Sequence, residues 1–235
     1  SDVCSSDLRL VISESYDSAA STYSLTFRQS CPQTPDKQEK LPFVIPVALG
    51  LLDAAGNELP LRLSDEAAAG STTRVISVTE AEQTFTFVDI AEQPLPSLLR
   101  GFSAPVKMSF PYNRDQLMFL MQHDSDGFNR WDAGQQLSVQ VLQEMIGQYQ
   151  KGQDLVLDQR LVTALSSLLA NDELDQAMVA EMLSLPGEAY LTEISEIADV
   201  DAIHAAREFA RKQLATLLFD GLWKRYQANR ALSKT

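Results

Sequence analysis

One change of hydrophobic period, close to Tyr112, limits the folds open to this 235-residue chain more than any other feature. Before it, apolar and polar residues alternate, as where Tyr23, Leu25 and Phe27 are separated by single polar residues. This two-residue period is typical of half-buried strands. After it, apolar residues recur every three or four positions, which is typical of amphipathic helices. The sequence therefore predicts a β part followed by an α part.

The β part, residues 9–111, contains about seven short segments with strand character. Proline-rich and small polar turns separate them, such as the turn DAAGN at residues 53–57. Strands at this spacing predict an antiparallel sandwich of immunoglobulin-like type. The Cys…Trp…Cys spacing of antibody domains is absent, so the prediction concerns architecture alone. The expected strands cover residues 10–12, 23–27, 43–52, 74–78, 83–88, 98–102 and 106–110.

The α part, residues 112–235, has the pattern of short helices joined by brief loops. This arrangement indicates an armadillo- or HEAT-like helical array, although no internal repeat is strong enough to prove one. Its end carries no capping signal, so we expect a partial helical domain. The expected helices cover residues 115–123, a longer segment from the cap candidates at 124–127 to Gly152, residues 158–169, residues 174–183, and a last segment from Asp199 or Asp201 past Trp223.

Charge and composition exclude several classes of function. The formal charge is −13 and no stretch concentrates Lys or Arg, which argues against nucleic-acid binding, because a polyanion is bound through a basic footprint. No apolar run approaches the roughly 18 residues that span a bilayer, and no signal peptide opens the chain. The two cysteines, Cys4 and Cys31, indicate a reducing compartment. We expect no transmembrane segment and a cytoplasmic location, with peripheral attachment to the inner membrane left open.

Residues 1–8, SDVCSSDL, match the in-frame translation of a sequencing-library adapter. They are interpreted as an assembly artefact and are kept out of fold reasoning. On this hypothesis Cys4 has no role in the protein, and a catalytic motif could be encoded upstream. Codons that differ from the adapter string would overturn the hypothesis.

The residues that most often carry catalysis are few and scattered. Neither His123 nor His204 belongs to an H-E-x-x-H pair, which would place two imidazoles on one helix face to hold zinc. His123 is expected to end a helix, where a protonated imidazole interacts favourably with the helix dipole. Cys31 has no nearby histidine to lower the pKa of its thiol.

Two further sequence patterns indicate a structural role rather than a metal-binding or ligand-binding role. Residues 124–127, DSDG, resemble the opening of a calcium loop, but Gly and the bidentate Glu are missing at the required positions, so a helix cap is expected. Four aromatic residues lie at helical spacing, which favours core packing over a ligand site; they are Trp131, Tyr149, Trp223 and Tyr226. We therefore expect no catalytic, metal-binding or substrate-binding residue in this chain.

Several linked segments do carry a family likeness. The longest is PLPSLLRGFSAPVK at residues 94–107, and another is FNRWDA at 128–133. Together with residues 29–35, 40–46, 80–85 and 119–124, they resemble the third domain and the start of the fourth domain of bacterial aminopeptidase N, a family of zinc gluzincins. The resemblance covers about residues 9–235 and is strongest over 29–135.

The resemblance implies a sandwich domain that links a catalytic domain to an armadillo-like domain covering the active site. It also implies a parent enzyme of membrane alanyl aminopeptidase type that removes N-terminal residues from peptides. In that family an H-E-x-x-H motif with a downstream Glu holds zinc, and a G-A-M-E-N motif reads the free amine. None of these motifs occurs here. This chain would then be a non-catalytic linker and cap, inactive alone, with zinc held only by the parent, and with peptides and the upstream catalytic domain as partners.

Two alternatives remain open. The chain could be a stand-alone module in which the sandwich and helical array bind a peptide or a partner protein. It could also be an unrelated enzyme with a new site, which would require zinc binding or turnover by this chain alone. The nucleotide sequence upstream of Arg9 separates the first alternative from the fragment, since only the fragment requires an H-E-x-x-H motif there.

Overall fold

The computed structural model describes residues 8–32 and 41–232, which form two compact units. The first unit contains the residues up to Tyr112 together with His123–Asn129, and the second contains Asn113–Gln122 and the residues from Arg130 onward. Residues 1–7, most of the adapter-like segment, lie outside the described residues. Leu8 is buried, and its carbonyl oxygen accepts a hydrogen bond from the Lys107 amide at 2.8 Å.

The described part of the first unit contains seven strands, the number that the alternating pattern predicts. All neighbouring strands pair antiparallel except the first and last, which pair in parallel. The strands are β1 (Arg9–Asp17), β2 (Thr22–Ser30), β3 (Ile45–Leu52), β4 (Thr73–Val78), β5 (Glu82–Val88), β6 (Leu95–Leu98) and β7 (Lys107–Ser109).

The seven strands divide into a four-stranded sheet, β5-β2-β1-β7, and a three-stranded sheet, β4-β3-β6. Alternation decides which face each residue occupies. In β2, Tyr23, Leu25 and Phe27 are fully buried, whereas Thr26, which lies between them in sequence, bonds to Thr84 of β5 through hydroxyl oxygens 2.8 Å apart. Apolar inner faces on both sheets make the core of this unit.

The expected strand over residues 98–102 is wrong. β6 ends at Leu98, and Arg100–Phe102 form a short 3-10 helix. The backbone φ angle is 56° at Leu99, 60° at Gly101 and 53° at Phe102, and these left-handed values are incompatible with a strand. The apolar residues in this stretch fit the pattern of a strand, but the backbone turns there.

Seven helices follow in the described residues, whereas the sequence predicts five helical segments. The helices are α1 (Arg114–His123), α2 (Gly127–Gln150), α3 (Gln159–Ala170), α4 (Gln176–Met182), α5 (Glu188–Glu193), α6 (Val200–Leu217) and α7 (Phe219–Leu232). Helix α5 was not expected from the sequence.

Aspartates fix the starts of three helices in the second unit. The side chain of Asp158 accepts a hydrogen bond from the Arg160 amide before α3, and Asp175 accepts one from Met178 before α4. Before α6, Asp199 rather than Asp201 is the cap. An N-cap carboxylate satisfies an amide that has no partner within the helix, which stabilises the start by about 1 kcal/mol.

The expected last helix is two helices in the structure. Helix α6 ends at Leu217, and Leu218 has non-helical angles of φ −103° and ψ 8°. The apolar residues of α6 that recur at helical spacing are buried from Ile203 to Leu214, but Leu217 is exposed. The expectation that four aromatic residues pack in the core is also wrong for three of them, since Tyr149, Trp223 and Tyr226 are exposed.

Candidate functional site

A buried charged group, Arg100, organises the first unit. Its side chain is only 4% exposed. The Arg100 Nε donates to Ser97 Oγ at 2.8 Å, and Nη1 donates to Thr73 Oγ1 at 2.6 Å. These residues, together with Glu58 and Asp124 described below, are called the Arg100 cluster.

Gly50 provides the space that the guanidinium fills. In the three-stranded sheet, Gly50 of β3 pairs with Thr73 of β4 on one side and with Ser97 of β6 on the other. The guanidinium lies over the place where a side chain would stand, because a Cβ added to Gly50 would come within 2.6 Å of both Arg100 terminal nitrogens. A glycine at the middle of a strand here permits the close approach of a large side chain.

Two carboxylates neutralise Arg100. Glu58 Oε1 lies 2.8 Å from Nη1, and Asp124 Oδ1 lies 3.3 Å from Nη2. Burial raises the pKa of Asp124, although the Arg100 charge opposes that rise. Burial acts on Glu58 in the same direction, but hydrogen bonds from Ser125 and Thr72 and the Arg100 charge together lower its pKa. Desolvated charges of this kind are tolerated only when they are paired.

The segment between α1 and α2 completes the cluster. Asp126 Oδ2 accepts a hydrogen bond from the Gly101 amide at 2.9 Å, and Asp126 Oδ1 accepts one from the Asn129 amide at 2.9 Å. Asn129 Nδ2 in turn donates to Ser97 Oγ at 2.8 Å and to the Leu98 carbonyl at 2.9 Å. The prediction that residues 124–127 form a helix cap is confirmed, and the same residues anchor the 3-10 turn.

The Arg100 cluster holds the segments around it in position rather than supplying reactive groups. It contains no thiol and no imidazole, and its guanidinium donors are directed to protein oxygens. Within residues 8–32 and 41–232, no group of three or more His, Cys, Asp or Glu side chains could hold a metal ion. These residues therefore do not fit a zinc ion, and we derive no catalytic step through one.

The three other residues that the sequence offers for chemistry lie in different parts of the chain. His123 is the last residue of α1, and a Cβ on Gly56 would fall 2.5 Å from its Nδ1. His204 is exposed, with Nδ1 2.9 Å from Glu188 Oε1. Cys31, which follows β2, is half-buried.

A groove in the second unit was not expected from the sequence. It encloses about 510 Å³ between α2 and the start of α5, and is called the α2–α5 groove. One wall of the groove is a single face of α2, on which the lining residues form pairs that repeat every four positions. The other wall runs from Pro186, after α4, to Tyr190 in α5. The lining residues are Trp131, Asp132, Gln135, Gln136, Val139, Gln140, Pro186, Gly187 and Tyr190.

Among the residues that the structure describes, Asp132 is the one carboxylate that lines the α2–α5 groove. Asp132 Oδ2 accepts a hydrogen bond from Gln136 Nε2 at 2.7 Å. Burial raises the pKa of Asp132, and the Gln136 hydrogen bond only partly offsets the rise. A hydrogen bond of 3.0 Å from Gln135 Nε2 to the Ser184 carbonyl ties the two walls together. The sequence signal for this groove is Gln135, a polar residue that stands four positions from both Trp131 and Val139 on the same helix face.

Two family models match the chain. "Domain of unknown function (DUF3458) Ig-like fold" matches residues 9–111, and "Domain of unknown function (DUF3458_C) ARM repeats" matches residues 114–235. The chain belongs to the DUF3458 family. The predicted fold class, an immunoglobulin-like sandwich followed by an armadillo-like array, is thereby confirmed.

The DUF3458 chain is similar to several curated aminopeptidases N. It is 38% identical to aminopeptidase N of Escherichia coli K12 over 220 residues, which are 94% of this chain and 25% of that protein. For Haemophilus influenzae the identity is 38% over 217 residues, which are 92% of this chain and 24% of that protein. The chain spans about a quarter of the length of these relatives. The resemblance to aminopeptidase N is confirmed.

A solved structure agrees with this relationship. Aminopeptidase A of Legionella pneumophila, in complex with aspartic acid, superposes with a TM-score of 0.74 at 26% identity, over 93% of this chain and 23% of that one. None of the helices in the described part of the DUF3458 chain has the length and apolarity to cross a membrane.

Proposed function

We propose that this chain is the linker and cap portion of a zinc metallo-aminopeptidase that releases N-terminal amino acids from peptides. The observation that carries the proposal is the match of 94% of the chain to aminopeptidase N, of which it spans only 25%. The parent is of membrane alanyl aminopeptidase type and cytoplasmic. It holds zinc in an upstream catalytic domain, which is the chain's partner within one polypeptide.

The division of labour within the chain belongs to the same proposal. Residues 9–111 are the sandwich that links to the catalytic domain, residues 112–235 are part of the helical cap, and residues 1–8 are the adapter-like artefact. The Arg100 cluster supports the linker role, because a buried network with many directed hydrogen bonds holds a sheet and a turn in one arrangement. The ARM-repeat match supports the cap role, since such arrays form extended concave surfaces.

The contiguous reading frame in the source DNA tests the fragment hypothesis. We expect it to continue upstream of Arg9 and to encode H-E-x-x-H with a downstream Glu. A start codon and ribosome-binding site directly before Arg9 would contradict the proposal and favour a stand-alone binding module.

The cap role is tested in the parent enzyme. We expect removal of the helical domain to leave hydrolysis of alanine amide within about tenfold of the intact enzyme, since the chemistry lies elsewhere. Cleavage of long or folded polypeptides should increase, because the barrier to entry is lost. Stoichiometric zinc in the shortened enzyme serves as the control for folding. An unchanged preference for short peptides, with zinc retained, would contradict a cap.

A further inference from the structure

The α2–α5 groove has the size and the chemistry of a ligand site. Its volume of about 510 Å³ falls within the range of roughly 300–1,000 Å³ typical of small-molecule pockets. Polar and aromatic side chains face one another across it, and Gln135 fixes the two walls through the Ser184 carbonyl. The residues that line the groove all belong to the second unit.

Asp132 gives the groove an anion without a cation. Among residues 8–32 and 41–232, no Lys, Arg or His lies within ion-pair distance of its carboxylate, whose hydrogen bond comes from Gln136. Burial raises the pKa of Asp132, because the charged form is less well solvated there than in water. A cationic ligand would supply the missing partner.

The remaining lining groups also suit a cation. Trp131 and Tyr190 line the groove, and aromatic rings attract cations through their quadrupole. Gln135 and Gln136 each use the amide nitrogen in a hydrogen bond to protein, which leaves each Oε1 as an acceptor. With Asp132 Oδ1, this makes three acceptor oxygens, the number of N–H donors on an ammonium group.

The donor set selects among cations. A metal ion would require more anionic ligands than the single carboxylate of the groove. A guanidinium binds best to both oxygens of a carboxylate, but Oδ2 of Asp132 is already engaged by Gln136. We propose that the α2–α5 groove is a binding site for a primary ammonium group, anchored by Asp132 and covered by Trp131 and Tyr190. This site is independent of the aminopeptidase function proposed above.

Tryptophan fluorescence of the full 235-residue chain tests the proposal. The W223F variant leaves Trp131 as the single tryptophan. We expect Nα-acetyl-lysine amide or alanine amide to change its emission saturably, and the tighter of the two identifies a lysine side chain or a free α-amine as the source. Nα-acetyl-norleucine amide, which keeps the four side-chain carbons of lysine and lacks only the ammonium group, should have no effect. Equal binding of the norleucine compound would overturn the proposal.

Two variants separate binding from folding. D132N should weaken ammonium binding at least tenfold, whereas E173Q, which removes an exposed negative charge outside the groove, should leave it unchanged. D132N should also keep or raise the melting temperature, because it removes a poorly solvated charge. If D132N does not fold, Y190A at an exposed position should still weaken binding at least threefold. Ammonium affinity that neither variant changes would contradict the site.

Discussion

At the scale of single residues, Gly50 and Arg100 depend on each other, because one vacates the space that the other fills. We expect G50A to destabilise the chain by about 1–3 kcal/mol, the usual cost of overpacking, since the new Cβ would displace the guanidinium. G147A is the matched control. Gly147 lies inside α2 with open space around it, so alanine there should stabilise by about 0.5–1 kcal/mol. Urea denaturation measures both, and shifts of the same sign would contradict the proposed fit.

Arg100 also supplies the positive charge that pairs with the buried carboxylate of Asp124. R100A leaves Asp124 buried without its cation, and breaking such a pair typically costs about 3–5 kcal/mol. Arg28 provides a contrast, because its pair with Glu82 is exposed on both sides, so R28A should leave the urea midpoint nearly unchanged. An R100A midpoint as close to the wild type as that of R28A would show that the buried network does not hold the fold.

The Arg100 cluster illustrates what the sequence could not reveal. Its members come from the turn after β3, from β4, from β6, from the 3-10 helix and from the segment before α2, and the register of the three-stranded sheet brings Thr73 and Ser97 together on either side of Gly50. No local motif marks Gly50 or Glu58. The burial of the aromatic residues was wrongly predicted for a related reason. Helical spacing predicts that Trp223 and Tyr226 share one helix face, but it does not predict whether another element packs on that face.

At the scale of elements, the predicted strands and long helices were largely correct because they carry several repeats of their period. Helix α5 was missed because its six residues cover less than two turns. The break between α6 and α7 was missed because apolar residues continue at helical spacing through Leu218. Around Leu99 the backbone geometry, which no hydrophobic pattern reports, ended the strand.

Helix α6 offers a test of local electrostatics. Hydrogen bonds from Arg211 lower the pKa of Glu208 from 4.5 to about 2. Because the folded pKa lies below the unfolded one, the pair stabilises the chain above pH 4.5, and that stabilisation is lost as the pH falls toward 2. An NMR titration of the Glu208 carboxyl should give a midpoint near 2, moving toward 4.5 in R211Q. A wild-type midpoint near 4.5 would contradict the pairing in solution.

At the scale of the whole molecule, the similarity to aminopeptidase N covers nearly all of this chain but only part of each relative. The chain aligns with aminopeptidase N nearly from end to end, yet spans a quarter of that protein. Its two units supply an Ig-like fold and ARM repeats, and the described residues provide no ligand set for a metal. Under the proposed function, the chemistry of peptide hydrolysis belongs to the catalytic domain of the parent.

The central claim, that this chain is a non-catalytic portion of an aminopeptidase, is tested most directly on the purified 235-residue chain. Zinc content and hydrolysis of alanine p-nitroanilide are measured after incubation with zinc, with aminopeptidase N of Escherichia coli as the positive control. We expect no stoichiometric zinc and no turnover above the buffer rate. One zinc per chain, or turnover that follows the chain through purification, would contradict the claim.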